Sequence, residues 1–229
     1  GYGDNPDGFE GDGCTTTIGY SQYDRYGCPD SDGDLYSDPM PNWLSSPAGT
    51  ADTWPLDPTQ WTDLDGDGYG GNPIGNKPDT CPSIPGTSLG VAEGGDVWGC
   101  TDTDGDGWSD KFGDEFPHEP TQWRDSDGDG WGDNVEGHEG DSCPTIFGDS
   151  LLDRLGCLDS DLDGYSDPTV GWSTHPKGTA DSFPNDRMQW MDNDSDGFGN
   201  NPIGNYRDDC PNQAGTSSKD LQGCPDSDG

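Results

Sequence analysis

The chain has 229 residues, with 47 acidic side chains against 9 basic ones, a formal net charge of −38, and a hydrophobic content of only 26%. A globular domain is normally about 45–50% apolar, so a hydrophobic core of ordinary size is excluded. The charge repels nucleic acid and anionic membrane surfaces, and no apolar run is long enough for membrane insertion.

A disordered acidic tail is poor in aromatic residues. This chain has 9 Trp, 8 Tyr and 6 Phe, and its acids are mostly Asp at fixed spacing. In chain order, residues 1–27 read as a partial repeat, because Gly1 aligns with Gly130 inside an acidic loop and Cys14 pairs in spacing with Cys28. The first long repeat, 28–99, opens with loop a, which sets Asp30, Asp32, Asp34 and Asp38 at positions 1, 3, 5 and 9 and the Tyr36 carbonyl at position 7. A proline-rich connector runs through Trp54-Pro55 to Gln60-Trp61. Loop b follows, with Asp63, Asp65, Asp67, Tyr69 and Asn72, and Cys81 and Cys100 then bracket a further loop.

The short repeat, 100–156, restates this order. Its loop a holds Asp102, Asp104, Asp106, Trp108 and Asp110; its loop b holds Asp125, Asp127, Asp129, Trp131 and Asp133; Cys143 and Cys157 follow. The second long repeat, 157–223, brings Asp159, Asp161, Asp163, Tyr165 and Asp167, then Asp192, Asp194, Asp196, Phe198 and Asn201, then Cys210 and Cys224. Residues 224–229 begin another unit with Asp226 and Asp228. Shifting residue 28 onto residue 157 aligns the two long repeats from Cys to Cys without a gap, with more than half the positions identical. The short repeat lacks ten residues of the long ones, which there include Trp43 and Trp172. Because both termini fall inside acidic loops, the sequence is expected to be a window on a longer tandem array.

Carboxylates at positions 1, 3 and 5, a glycine turn at 6 and a carbonyl at 7 are the donors that Ca²⁺ takes, six to eight hard oxygens at roughly 2.3–2.6 Å. Without metal, carboxylates about 4 Å apart repel by about 4 kcal/mol per pair at an effective dielectric of 20, so an empty closed loop is strongly disfavoured. These loops lack a bidentate Glu at position 12, so a closing acid has to come from elsewhere. The candidates are Asp52, Asp114 and Asp181 for loop a, and Asp79, Asp141 and Asp208 for loop b. The eight cysteines, evenly patterned and without zinc spacing, read as disulfides Cys14–Cys28, Cys81–Cys100, Cys143–Cys157 and Cys210–Cys224 in an oxidising compartment.

Asp209-Cys210-Pro211, Ala214-Gly215-Thr216, Asp220, Gly223-Cys224-Pro225 and Asp226-Ser227-Asp228-Gly229 resemble thrombospondin type-3 repeats, and are similar to repeat segments of bacterial and archaeal surface proteins. The resemblance covers essentially the whole chain. It implies an elongated, calcium-filled rod with little regular secondary structure. The chain departs from the pattern in its long inserts and at Leu35, which stands where loop a takes glycine.

The expected fold is therefore irregular, an elongated calcium-stabilised tandem-repeat rod with local disulfides, made of turns and at most one-turn helices. The expected function is a structural segment of an extracellular or cell-surface fibre, its partners being calcium, neighbouring repeats and copies of the same chain. The alternatives are a calcium-dependent adhesin, gripping glycans with Trp43 and Trp172, or an extracellular calcium buffer. The position-7 rings and the Gln-Trp pairs are expected to pack between loops. His118, His138 and His175 share no metal spacing and are expected to be exposed. Asn193-Asp194-Ser195 is a glycosylation sequon by pattern, but Asp194 is required by the loop. Nothing resembles a nucleophile triad or a phosphate loop, so an enzyme is not expected.

Overall fold

The computed structural model describes residues 2–5 and 7–226. The chain divides into two units, Gly1–Pro120 and Thr121–Gly229. Among the described residues the only helix is a 3-10 turn, Val91–Glu93, and pairing is confined to isolated bridges. Thirty-eight Gly and 20 Pro among 229 residues account for this, since neither sustains a helix or a strand interior. All four expected disulfides form, with Cα atoms 4.9–5.1 Å apart. Four disulfides point to an oxidising compartment, and among the described residues no helix is long and apolar enough to cross a membrane.

The buried residues explain how so little apolar mass suffices. Among the described residues the buried hydrophobic side chains are cysteines plus Ala51 and Ala180; the other buried side chains are Asp, Ser and Gln. Each buried glutamine is tied to backbone. Gln60 Nε2 donates to the carbonyls of Asn72 and Asn76 while its Oε1 accepts from the Asn72 N–H. Gln122 and Gln189 do the same to Asn134 with His138, and to Asn201 with Asn205. One side chain thus replaces a strand partner for the turn after loop b. The Trp of each long repeat's Gln-Trp pair packs elsewhere: Tyr36 stacks on Trp61 at 5.1 Å and Tyr165 on Trp190 at 5.5 Å.

The disulfide loops are closed in the same polar way. Ser21 and Ser150 each donate their hydroxyl to the backbone carbonyl of an arginine, Arg25 or Arg154, and accept from the Cys28 or Cys157 N–H. Opposite them the chain passes so close to Gly148 that a Cβ there would lie 2.1 Å from the Cys157 carbonyl carbon.

The inserts are excursions that leave and rejoin the chain at fixed points. Asp52 N–H donates to Ser37 O, and Asp181 N–H to Ser166 O. In the short segment Asp114 N–H donates directly to Ser109 O. Ten residues can therefore be present or absent without moving the acid that follows. Each insert is a tight reversal, Met40 against Trp43 and Thr169 against Trp172. The two tryptophans are half-buried. Their Nε1 atoms donate to Asp24 and Asp153, and Arg25 and Arg154 lie over their rings.

Candidate metal centres

Each acidic loop is shaped by its own amides. The position-1 carboxylate accepts the N–H groups of positions 4 and 6: Asp102 from Gly105 and Gly107 at 2.7 and 3.1 Å, Asp125 from Gly128 and Gly130 at 2.7 and 2.8 Å. Both donors sit in the left-handed region, which suits glycine. Leu35 takes that conformation too, at φ 79°, and still donates to Asp30 at 3.1 Å. The loop at 30–38 thus keeps the shape of the others, at the cost of a strained residue, about 1–2 kcal/mol.

The shape gathers carboxylates. One oxygen each from Asp30, Asp32 and Asp34 lie within 4.8 Å of one another, and the same holds for Asp63, Asp65 and Asp67; Asp102, Asp104 and Asp106; Asp125, Asp127 and Asp129; Asp159, Asp161 and Asp163. The position-7 N–H of Tyr36, Tyr69, Trp108, Trp131, Tyr165 and Phe198 donates to the position-5 carboxylate. The carbonyls of Tyr36, Tyr69, Trp131, Tyr165 and Phe198 accept no hydrogen bond among the described residues.

The acids expected to close the loops arrive from other parts of the chain. Asp52, Asp114 and Asp181, and Asp79, Asp141 and Asp208, are all buried. In each, Oδ1 accepts the N–H two residues on, at 2.7–2.8 Å. The Oδ2 atoms of Asp114, Asp141, Asp181 and Asp208 are buried with no partner, as are oxygens of Asp32, Asp34, Asp65, Asp104, Asp106, Asp127, Asp161, Asp163 and Asp194. Buried polar oxygens are almost always paired. Here the orphaned carboxylate oxygens belong to positions 3 and 5 and to the acids expected to close the loops, the places a cation would touch, so the residues fit a hard cation held entirely by oxygen.

The electrostatics agree. Burial, followed by the charges of Asp34, Asp32 and Asp38, pushes Asp52 up to about 7, despite the Trp54 N–H bonded to it. Burial, with Asp163, Asp161 and Asp159, does the same to Asp181, also to about 7. Asp34, Asp79, Asp106, Asp141 and Asp163 rise to about 6, and Asp114 and Asp208 rise, for the same leading reason. Carboxylates forced together without a countercharge prefer protons.

Several sequence-predicted ligands take other roles. The position-9 carboxylates latch the loop: Asp38, Asp110, Asp133 and Asp167 accept both the N–H and the hydroxyl of Ser31, Thr103, Ser126 and Ser160. Asn72 and Asn201 are corrected, because their amides donate to the carbonyls of Thr59 and Met188 and their Oδ1 atoms accept from Ile74 and Ile203. Asn200, not among the expected ligands, takes the position-9 place and accepts from the Asn193 N–H at 3.1 Å. The seven-residue spacing shared with Ser31 and Asp38 is the signal for it. His118 and His138 are exposed, as expected, whereas His175 is half-buried and lines a cavity with Leu152, Tyr165 and Trp190. In the partial loop at the C-terminal end Asp226 is described, whereas Asp228 lies outside the described residues.

The disulfide loops bind the acidic loops to one another. Gly86, Gly148 and Gly215 donate their N–H to the position-5 acids Asp67, Asp129 and Asp196 of the preceding loop b. Asp24, Asp96 and Asp153 accept the N–H and hydroxyl of Ser37, Ser109 and Ser166 in the following loop a. Asp96 is hard to see in the sequence because the loop from Cys81 to Cys100 has a separation of 19 where the others have 14.

The loop at 63–71 lacks the latch, having Leu64 and Gly71 at positions 2 and 9. It is therefore expected to hold its cation least tightly and to empty first when chelator is added stepwise, followed by residue-resolved NMR. Leu64→Ser with Gly71→Asp should raise its affinity about tenfold, the equivalent of about 1.4 kcal/mol.

A scan against protein-family models and a search of curated protein sequences each return no match.

Proposed function

We propose that this chain is a calcium-binding structural segment of an extracellular or surface-displayed fibre or stalk, an elongated rod related to thrombospondin type-3 repeats, in which Ca²⁺ takes the place of an apolar core. The observation that carries this is the convergence of buried, unpartnered carboxylate oxygens of a closing acid on a triad of loop acids, as with Asp181, Asp159, Asp161 and Asp163. Calcium fits better than a smaller or softer ion because the donors are all oxygen, numerous, and set on flexible loops. Bound calcium supplies the countercharge; the side chains position it, the position-1 acids by shaping the loop and positions 3, 5 and the closing acid by offering oxygens.

The insert tryptophans support a structural role over a glycan-binding one. Each is anchored at its indole nitrogen to the aspartate that braces loop a, and one ring face is covered by arginine.

Native mass spectrometry should count one Ca²⁺ or more for each of the six complete loops at pH 8. The count should fall as pH drops through about 6, because protons compete for the acids that rise to about 6 or 7. The metal-free fold has the opposite dependence. These acids have folded values above the unfolded value of about 3.9, so the stabilising protonation is complete near pH 4 and is lost as pH rises through 7. After chelation the chain should be more structured at pH 5 than at pH 8, by tryptophan near-ultraviolet circular dichroism. Absence of bound calcium at pH 8 would refute the reading.

A further inference from the structure

One difference between the two long segments and the disulfide loops that precede them leaves a cavity. In the first, Tyr23 of the preceding disulfide loop, itself 66% exposed, sets its ring 5.4 Å from Tyr36, which stacks on Trp61. Three rings form one cluster. In the second the corresponding residues are Leu152, Tyr165 and Trp190, so the stacked pair remains but the third ring is gone. Leu152 lies against Gly164, where a Cβ would come within 2.9 Å of its Cδ1. A cavity of about 410 Å³ opens there, lined by Leu152, Tyr165 and Trp190 with His175, Thr179 and Asp153.

The polar groups of the lining differ in availability. Asp153 is already engaged by Ser166 and Trp172. His175, which stands where the first segment has Ser46, has a buried Nδ1 with no partner.

We propose that this cavity is a binding site for one phenolic ring, the side chain of a tyrosine on another polypeptide, seated where Tyr23 sits in the first segment. Its hydroxyl donates to the unpartnered Nδ1 of His175, which the imidazole presents to the cavity by turning about its Cβ–Cγ bond. A neutral ring also suits a chain of net charge −38, which disfavours an acidic ligand.

The test uses the full chain in calcium, with calcium content measured in every sample so that loss of metal is told apart from loss of ring binding. N-acetyltyrosinamide, N-acetylleucinamide and p-cresol are titrated while the Leu152 methyl and Trp190 indole NMR signals are followed. Saturable shifts with N-acetyltyrosinamide, one per chain, and at least tenfold weaker binding of N-acetylleucinamide are expected. Leu152→Tyr should lower the affinity at least tenfold by filling the cavity, and His175→Ala several-fold. Tyr23→Leu should open a second site and raise the stoichiometry from one to two. The proposal is overturned if N-acetyltyrosinamide gives no saturable shift, if p-cresol binds where it does not, or if Leu152→Tyr leaves its binding unchanged.

Discussion

Gly148→Ala should destabilise the calcium-loaded protein by at least about 3 kcal/mol, because no rotamer change can make room for a Cβ 2.1 Å from the backbone of Cys157. For a unit of this size that corresponds to a fall in Tm of more than about 10 °C by differential scanning calorimetry. The close approach is what lets Asp149 and Ser150 donate to the Cys157 carbonyl and Gly148 donate to Asp129. The same substitution should therefore also weaken metal in the preceding loop b. Gly130→Ala is the control. Its Cβ meets nothing within 4 Å and its only penalty is a φ of 96°, about 1–2 kcal/mol. Equal effects at the two glycines would show that backbone proximity is not what Gly148 provides.

Asp181→Asn should act in opposite directions with and without calcium. With calcium it removes a charged ligand without changing shape, and the affinity of the loop at 159–167 should fall by about two orders of magnitude, or about 2.7 kcal/mol. Without calcium it removes a fully buried carboxylate that faces Asp163, Asp161 and Asp159, so the metal-free chain should gain stability at pH 8. Chemical denaturation in both states reads out the two signs. An acid that merely decorated a solvated surface would change neither, and an acid engaged only in its hydrogen bond to Phe183 would lower stability in both.

The Asp triads and the disulfide pairing are legible in the sequence for one physical reason. Asp phase, Cys spacing and loop glycines are local constraints that recur at a fixed offset. What stays hidden is non-local or depends on which atom of a residue is used. Gln60, Gln122 and Gln189 look like part of an aromatic packing motif, yet each is a buried hydrogen-bonding centre for a turn 12 to 16 residues away. The position-9 acids look like ligands because ligands and latches are both carboxylates; only the serine or threonine seven residues earlier tells them apart. Asn72 draws the eye, one residue out of phase, because Gly71 leaves the latch position without a side chain. Leu35 looks like a defect, but the Asp30 carboxylate holds its N–H in the left-handed turn that glycine would take freely. His175 gives no sign of burial, since the insert that carries it has no periodic pattern.

The most direct measurement is sedimentation velocity with parallel thermal melting, in calcium and after chelation at pH 8, with the disulfides intact. If calcium stands in for the missing apolar core, chelation raises the frictional ratio, abolishes the cooperative melt, and both return when calcium is restored. A metal-free chain that sediments and melts like the loaded one would contradict this.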